Sequence, residues 1–107
     1  MKILYIISGD LWAGAEAQAF SLIHAINKSD LFNVQVITFN DGMLVSKLHE
    51  DLIPVTVLYE RNTSLYALIK GCLKIINNFN PDIIHTHGFK ENLLGGIAAR
   101  ISGRRSV

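Results

Sequence analysis

Residues Ile3-Leu4-Tyr5-Ile6-Ile7 form a run that is apolar at both odd and even positions. A strand with one wet face alternates, so such a run needs cover on both sides. That is the situation of a strand inside a parallel sheet. The run breaks at Ser8-Gly9-Asp10, passes Leu11-Trp12-Ala13 and reaches Gly14-Ala15-Glu16. A helical period then takes over, with Ala15, Ala19, Leu22, Ile23 and Ile26 predicted on one face. A buried strand that opens through a glycine-bearing loop into a helix presents backbone N–H groups to an anion. The unit from Lys2 to Lys28 therefore sets the frame for the rest of the chain.

The stretch Asn27-Lys28-Ser29-Asp30 stops that helix. Val34 to Phe39 forms a second strand, closed by the turn signal Asn40-Asp41-Gly42. Leu44, Val45 and Leu48 have helical spacing and predict a short helix over Met43 to Glu50. Pro54 then opens a third strand, Val55 to Leu58. Thr63 or Ser64 is placed to cap a longer helix. Its stripe is Leu65, Leu68, Ile69, Cys72, Ile75, Ile76 and Phe79, with Lys70 and Lys74 opposite. Asn80-Pro81 ends it, because a residue before proline avoids the α region. Asp82 to Thr86 is the fourth strand, which the chain leaves at His87-Gly88. A further helix is expected over about Lys90 to Ser102, with Gly95-Gly96 allowing close packing, and a new strand begins at Ser106-Val107.

This alternation is that of an α/β chain. It predicts a Rossmann-like, doubly wound parallel sheet with strand order 3-2-1-4. Strands 1 and 4 are then neighbours at the point where the winding reverses. Ligands bind outside the carboxyl ends of the strands at such a point. Ser8 to Gly14 and His87 to Lys90 are therefore expected to face each other across one crevice.

Composition removes several classes of function. Ten Lys and Arg against nine Asp and Glu give a net charge of +1, which argues against a nucleic-acid groove. The trio Arg100, Arg104 and Arg105 reads as a solvated helix terminus. Half of the residues are apolar and 18% are charged, so the chain should order. The single cysteine, Cys72, forms no internal disulfide and falls on an apolar helix face as a small buried side chain. The opening apolar run is too short for a signal peptide, and no stretch reaches the ~18 apolar residues of a membrane span. The expected address is the cytoplasm, with peripheral membrane contact left open.

Gly9 and Gly14 have the spacing G-x-x-x-x-G, but Ala15-Glu16 replaces the lysine and hydroxyl residue that a nucleotide-hydrolysing loop requires. Nor is there a G-x-G-x-x-G fingerprint for a dinucleotide. What the pattern supports is a phosphate approaching the helix N-terminus at Gly14, against a glycine that serves only the turn. Glu16 complements the helix dipole, or meets a sugar hydroxyl. Trp12 is either a platform for a sugar ring or an apolar cover for the loop. No basic side chain is evident beside this loop. His85 reads as a hydrogen-bonded structural residue. His87, just past the strand, reads as a ligand contact. The His-x-His pair lacks a third ligand, so no metal is expected. His24 and His49 are expected in solvent.

In four passages the sequence resembles the N-terminal half of a GT-B glycosyltransferase of family four. These are Met1-Lys2-Ile3-Leu4-Tyr5-Ile6, Trp12-Ala13-Gly14-Ala15-Glu16, Asn80-Pro81-Asp82-Ile83-Ile84-His85-Thr86-His87-Gly88 and Gly96-Ile97-Ala98-Ala99-Arg100. The resemblance implies retaining transfer of a hexose from a nucleotide sugar to a glycan or lipid acceptor, with no required metal or other cofactor. It implies that the glycine loop at Ala13-Gly14 approaches the donor diphosphate. Ala13 stands where many members carry a second glycine. It also implies that His87 contacts the transferred sugar, making it the candidate catalytic residue. Residues 1–107 then correspond to an incomplete acceptor-side domain, with the C-terminal donor domain absent. Such a fragment is expected to be inactive alone and to self-associate. The competing reading is a non-catalytic Rossmann-like module that binds a partner or a small anion.

Overall fold

The computed structural model describes residues 1–9, 12, 14–61 and 63–87. Four strands, β1 (Lys2–Ile7), β2 (Asn33–Thr38), β3 (Val55–Val57) and β4 (Ile83–His87), alternate with three helices: α1 (Gly14–Lys28), α2 (Met43–Glu50) and α3 (Leu65–Phe79). The strands pair in parallel in the order β3-β2-β1-β4. This is the doubly wound, Rossmann-like arrangement that the alternation predicts. The helix expected after β4, its glycine pair and the strand at Ser106-Val107 lie outside the described residues.

The two parities of the strands feed two separate cores. Leu4, Ile6, Ile37, Phe39 and Ile84 pack against Leu68, Cys72, Ile76 and Phe79 of α3. On the other face, Ile3, Tyr5, Ile7, Val34 and Val36 pack against Ala19 and Ile23 of α1 and Leu44 and Leu48 of α2. Residues Ile3 to Ile7 are all buried, which is why the opening run is apolar at both parities. Cys72 is fully buried, and desolvation pushes its thiol up to about 12.

Local chemistry fixes the helix ends. The Ser64 hydroxyl accepts from the Ala67 N–H at 3.1 Å and caps α3. At the other end Asn80 adopts the left-handed conformation, φ 55°, before Pro81. Helix faces are where the sequence expectation needs correcting. Ala15 and Leu22 are exposed, and the buried side of α1 runs through Glu16, Ala19 and Ile23. Leu65 is also exposed, because α3 meets the sheet only from Leu68 onward.

Candidate functional site

The carboxyl end of the sheet is tied together by backbone and amide contacts. The Phe39 N–H donates to the Ser8 carbonyl at 3.0 Å, and the Glu60 N–H donates to the Phe39 carbonyl at 3.0 Å. Asn40 joins the exits of three strands. Its Nδ2 donates to the Ser8 carbonyl at 3.2 Å, to Ser8 Oγ at 3.3 Å and to Glu60 Oε1 at 3.1 Å. The sequence suggested only a turn residue at Asn40. An asparagine between a strand and a glycine signals a turn, and nothing in its spacing says which chain it will bridge.

Gly9 sits inside this knot. Its φ is 77°, and a Cβ there would stand 2.9 Å from the Asn40 carbonyl oxygen and 3.1 Å from Thr38 Cβ. Gly42 approaches from the next exit, where a Cβ would stand 3.2 Å from the Gly9 carbonyl oxygen. Both glycines are therefore accounted for by packing. Gly14 is different. It begins α1 outside the positive-φ region, and a Cβ would meet nothing within 4 Å.

Glu16, in the first turn of α1, is buried at 7% exposure, on the same side of the helix as Ala19 and Ile23. Trp12 is 37% exposed and meets the Phe20 ring edge-on, with centroids 6.1 Å apart. The half-buried Lys47 of α2 places its Nζ 5.4 Å from the Trp12 ring centre and 6.0 Å from that of Phe20. A basic side chain does therefore stand beside the glycine loop, contrary to the sequence expectation. It is far from the loop in sequence and arrives only through the packing of α2 beside α1. His24 is likewise not solvated in the way expected. Its Nδ1 pairs with Asp51 Oδ2 and its ring lies 5.8 Å from that of Phe20, which joins α1 to the end of α2. His49 is exposed, as expected.

Across the switch point, β1 and β4 run side by side with Ile7 opposite His87. His87 is the last residue of β4 rather than the first beyond it, and it is partly buried. The exit of β1 and the imidazole of His87 thus share one end of the sheet. Ala13 and residues 88–90, the remaining parts of the expected crevice, lie outside the described residues. His85 packs its ring on Tyr5, with centroids 4.9 Å apart. Burial, and then repulsion from His87, lower the pKa of His85 below the ordinary histidine value. Among the described residues no group of three or more His, Cys, Asp or Glu side chains is placed to hold a metal, and no helix is long and apolar enough to cross a membrane.

Solved structures share this arrangement. Anabaena HepE in complex with UDP-glucose superimposes with a TM-score of 0.79 at 24% identity, over 99% of this chain and 28% of that one. The lipopolysaccharide outer core galactosyltransferase WaaB gives 0.80 at 21%, over 100% and 32%. A UDP-GlcNAc 2-epimerase from Neisseria meningitidis, bound to UDP-GlcNAc, gives 0.72 at 19%, over 99% and 31%. The chain thus spans less than a third of the length of each. At these identities the likeness establishes the fold, and that fold serves an epimerase as well as transferases. No curated protein sequence matches the chain. The profile of Glycosyltransferase Family 4 matches residues 12–107, from the tryptophan of the glycine loop onward, and the chain belongs to that family.

Proposed function

We propose that the chain is the acceptor-side, N-terminal domain of a retaining glycosyltransferase, which moves a hexose from a nucleotide sugar to a glycan or lipid acceptor in the cytoplasm. The observation that carries this reading is Gly14. Neither its backbone angles nor its surroundings among the described residues require a glycine, yet a glycine begins the helix at the switch point. A bare Cα there leaves the first N–H groups of α1 open to a diphosphate. Trp12, partly exposed, is available to a sugar, and Lys47 supplies positive charge beside it. Glu16, in the same first turn, is buried.

In this reading catalysis consists of positioning and electrostatics, with no required metal or other cofactor. The dipole of α1 stabilises the departing diphosphate, and His87 contacts the transferred sugar from the adjacent strand. Exposed Met43, Tyr59, Leu65 and Tyr66 join Trp12 on connections that follow the strands' carboxyl ends. That apolar rim suits a lipid acceptor or peripheral contact with a membrane surface.

Residues 1–107 alone should hold the donor weakly. One anion at a helix N-terminus contributes about 0.3–1 kcal/mol, and up to about 2 when partly buried. Millimolar affinity already needs about 4.1 kcal/mol. The test is an NMR titration of the chain with UDP-glucose, paired with an assay for released UDP. Shifts at Gly14, Ala15 and His87 that saturate only at millimolar or higher concentration, without turnover, are expected. Micromolar binding with steady release would overturn the inactivity of residues 1–107. A titration that leaves Gly14 and His87 unmoved would favour the non-catalytic module instead.

A further inference from the structure

The sheet face that carries α3 changes character toward its amino end. By strand alternation Lys2, Leu4 and Ile6 of β1 share that face with Asn33, Gln35 and Ile37 of β2. Leu4, Ile6 and Ile37 are buried under α3, whereas the positions below them are polar. β2 is an interior strand, flanked by β1 and β3. Interior strands of parallel sheets are ordinarily apolar at both parities, and Gln35 and Asn33 depart from that rule. Together with Thr56 of β3 and Asn78 in the last turn of α3, they line an open depression of about 370 Å³, in which Lys2, Asn33, Thr56 and Asn78 are exposed. Lys2, Ile75 and Phe79 complete its wall. The side chains of Asn33, Gln35, Thr56 and Asn78 make no hydrogen bond to another described residue, so their donors and acceptors are available to the depression.

We propose that this depression binds a saccharide unit that carries a carboxylate. Three carboxamides and one hydroxyl present both donors and acceptors. Sugar hydroxyls, which also donate and accept, use that full set, whereas a phosphate would leave every carboxamide oxygen unused. The lining contains no carboxylate. Its one charge is the ammonium of Lys2, which lies 5.9 Å from the Phe79 ring centre. The Lys2 backbone is held in place by its N–H, which donates to Asp82 Oδ2 at 2.8 Å. A single cation among neutral polar groups favours a ligand with one negative substituent. The volume falls in the range of about 300–1,000 Å³ typical of small-ligand sites. The depression lies at the end of the sheet away from the glycine loop, so it stands or falls independently of the donor site.

The test is a titration of the isotope-labelled chain with glucuronate, glucose and acetate. Saturable shifts in the side-chain amides of Asn33, Gln35 and Asn78 are expected with glucuronate, weaker ones with glucose, and none with acetate. Gln35→Leu and, separately, Thr56→Val should each weaken glucuronate binding by about tenfold, the loss expected for one or two hydrogen bonds. Thr56 is exposed on an edge strand, so its variant keeps the fold, as an unchanged melting temperature would verify. An equal response to acetate, a response unchanged in both variants, or no saturable shift with either sugar would overturn the proposal.

Discussion

At Gly9 the chain turns through φ 77° with a neighbouring carbonyl 2.9 Å from where a Cβ would sit, while at Gly14 a Cβ would meet nothing. The two substitutions should therefore behave oppositely. Gly9→Ala forces both a disfavoured backbone conformation and a clash with backbone, and should cost about 1–3 kcal/mol in urea unfolding. Gly14→Ala should leave stability unchanged or slightly raised, since alanine is the better helix former. Under the proposed function it should also reduce the shifts induced by UDP-glucose. Thr38 gives a second contrast. It is fully buried, and its Oγ1 has no hydrogen-bond partner among the described residues. Thr38→Val keeps the shape and removes an unpaired hydroxyl, so it should raise stability by about 1 kcal/mol. Equal or lower stability would show that the hydroxyl is satisfied. His85 supplies a pH dependence. Its folded pKa lies below the unfolded value of 6.5, so between these values the unfolded state binds more protons. Its contribution is complete above about pH 6.5 and is lost as pH falls through and below that value. Replacing His85 with Asn should flatten the decline in unfolding midpoint measured from pH 7.5 to 5, as flagged by that ordinary value of about 6.5.

At the scale of elements, α3 carries the clearest sequence signal, and the structure explains why. Its stripe buries Leu68, Cys72, Ile76 and Phe79 on one face, and both ends are chemically marked. Ser64→Ala removes the hydroxyl that accepts from the Ala67 N–H and should cost about 0.5–2 kcal/mol, measurable by thermal unfolding. A neutral result would mean that water replaces the cap at no cost. The face of α1 was less legible. Ala15 and Leu22 fit an apolar period, yet Glu16 and Phe20 turn inward in their place. Periodicity locates a stripe to within about one residue per turn. Which neighbouring positions face inward is decided by where α2 lies, because the cluster of Trp12, Phe20, His24, Lys47 and Asp51 forms between the two helices.

For the whole molecule, five of the nine exposed large apolar side chains among the described residues follow the carboxyl ends of strands, while Met1, Leu22, Leu31 and Leu52 lie elsewhere. Trp12, Met43, Tyr59, Leu65 and Tyr66 all lie on connections that follow strands' carboxyl ends, and each is more than a third exposed. Apolar surface of this kind favours association. By contrast, the β3 edge is only three residues long and is led by Pro54, which makes it a poor template for strand pairing. Residues 1–107 should therefore form concentration-dependent dimers through the carboxyl-end rim rather than through the β3 edge. Sedimentation that shows only monomer across the micromolar range would count against this. Replacing Tyr66 and Leu65 with serine should shift the equilibrium toward monomer.

The sequence by itself determined the α/β class, the strand order, the ends of α3 and the nearness of His87 to the exit of β1 at one end of the sheet. These follow from local periodicity, capping chemistry and the fixed handedness of crossovers, none of which needs knowledge of distant contacts. The tertiary structure alone decided the rest. It separated Gly9, held by packing, from Gly14, which packing does not require. It brought Lys47 against Trp12, placed Asn40 between three strand exits and gathered Asn33, Gln35, Thr56 and Asn78 around one depression. Each of these depends on residues far apart in the chain meeting at a distance of a few ångströms, and residue spacing carries no record of that separation.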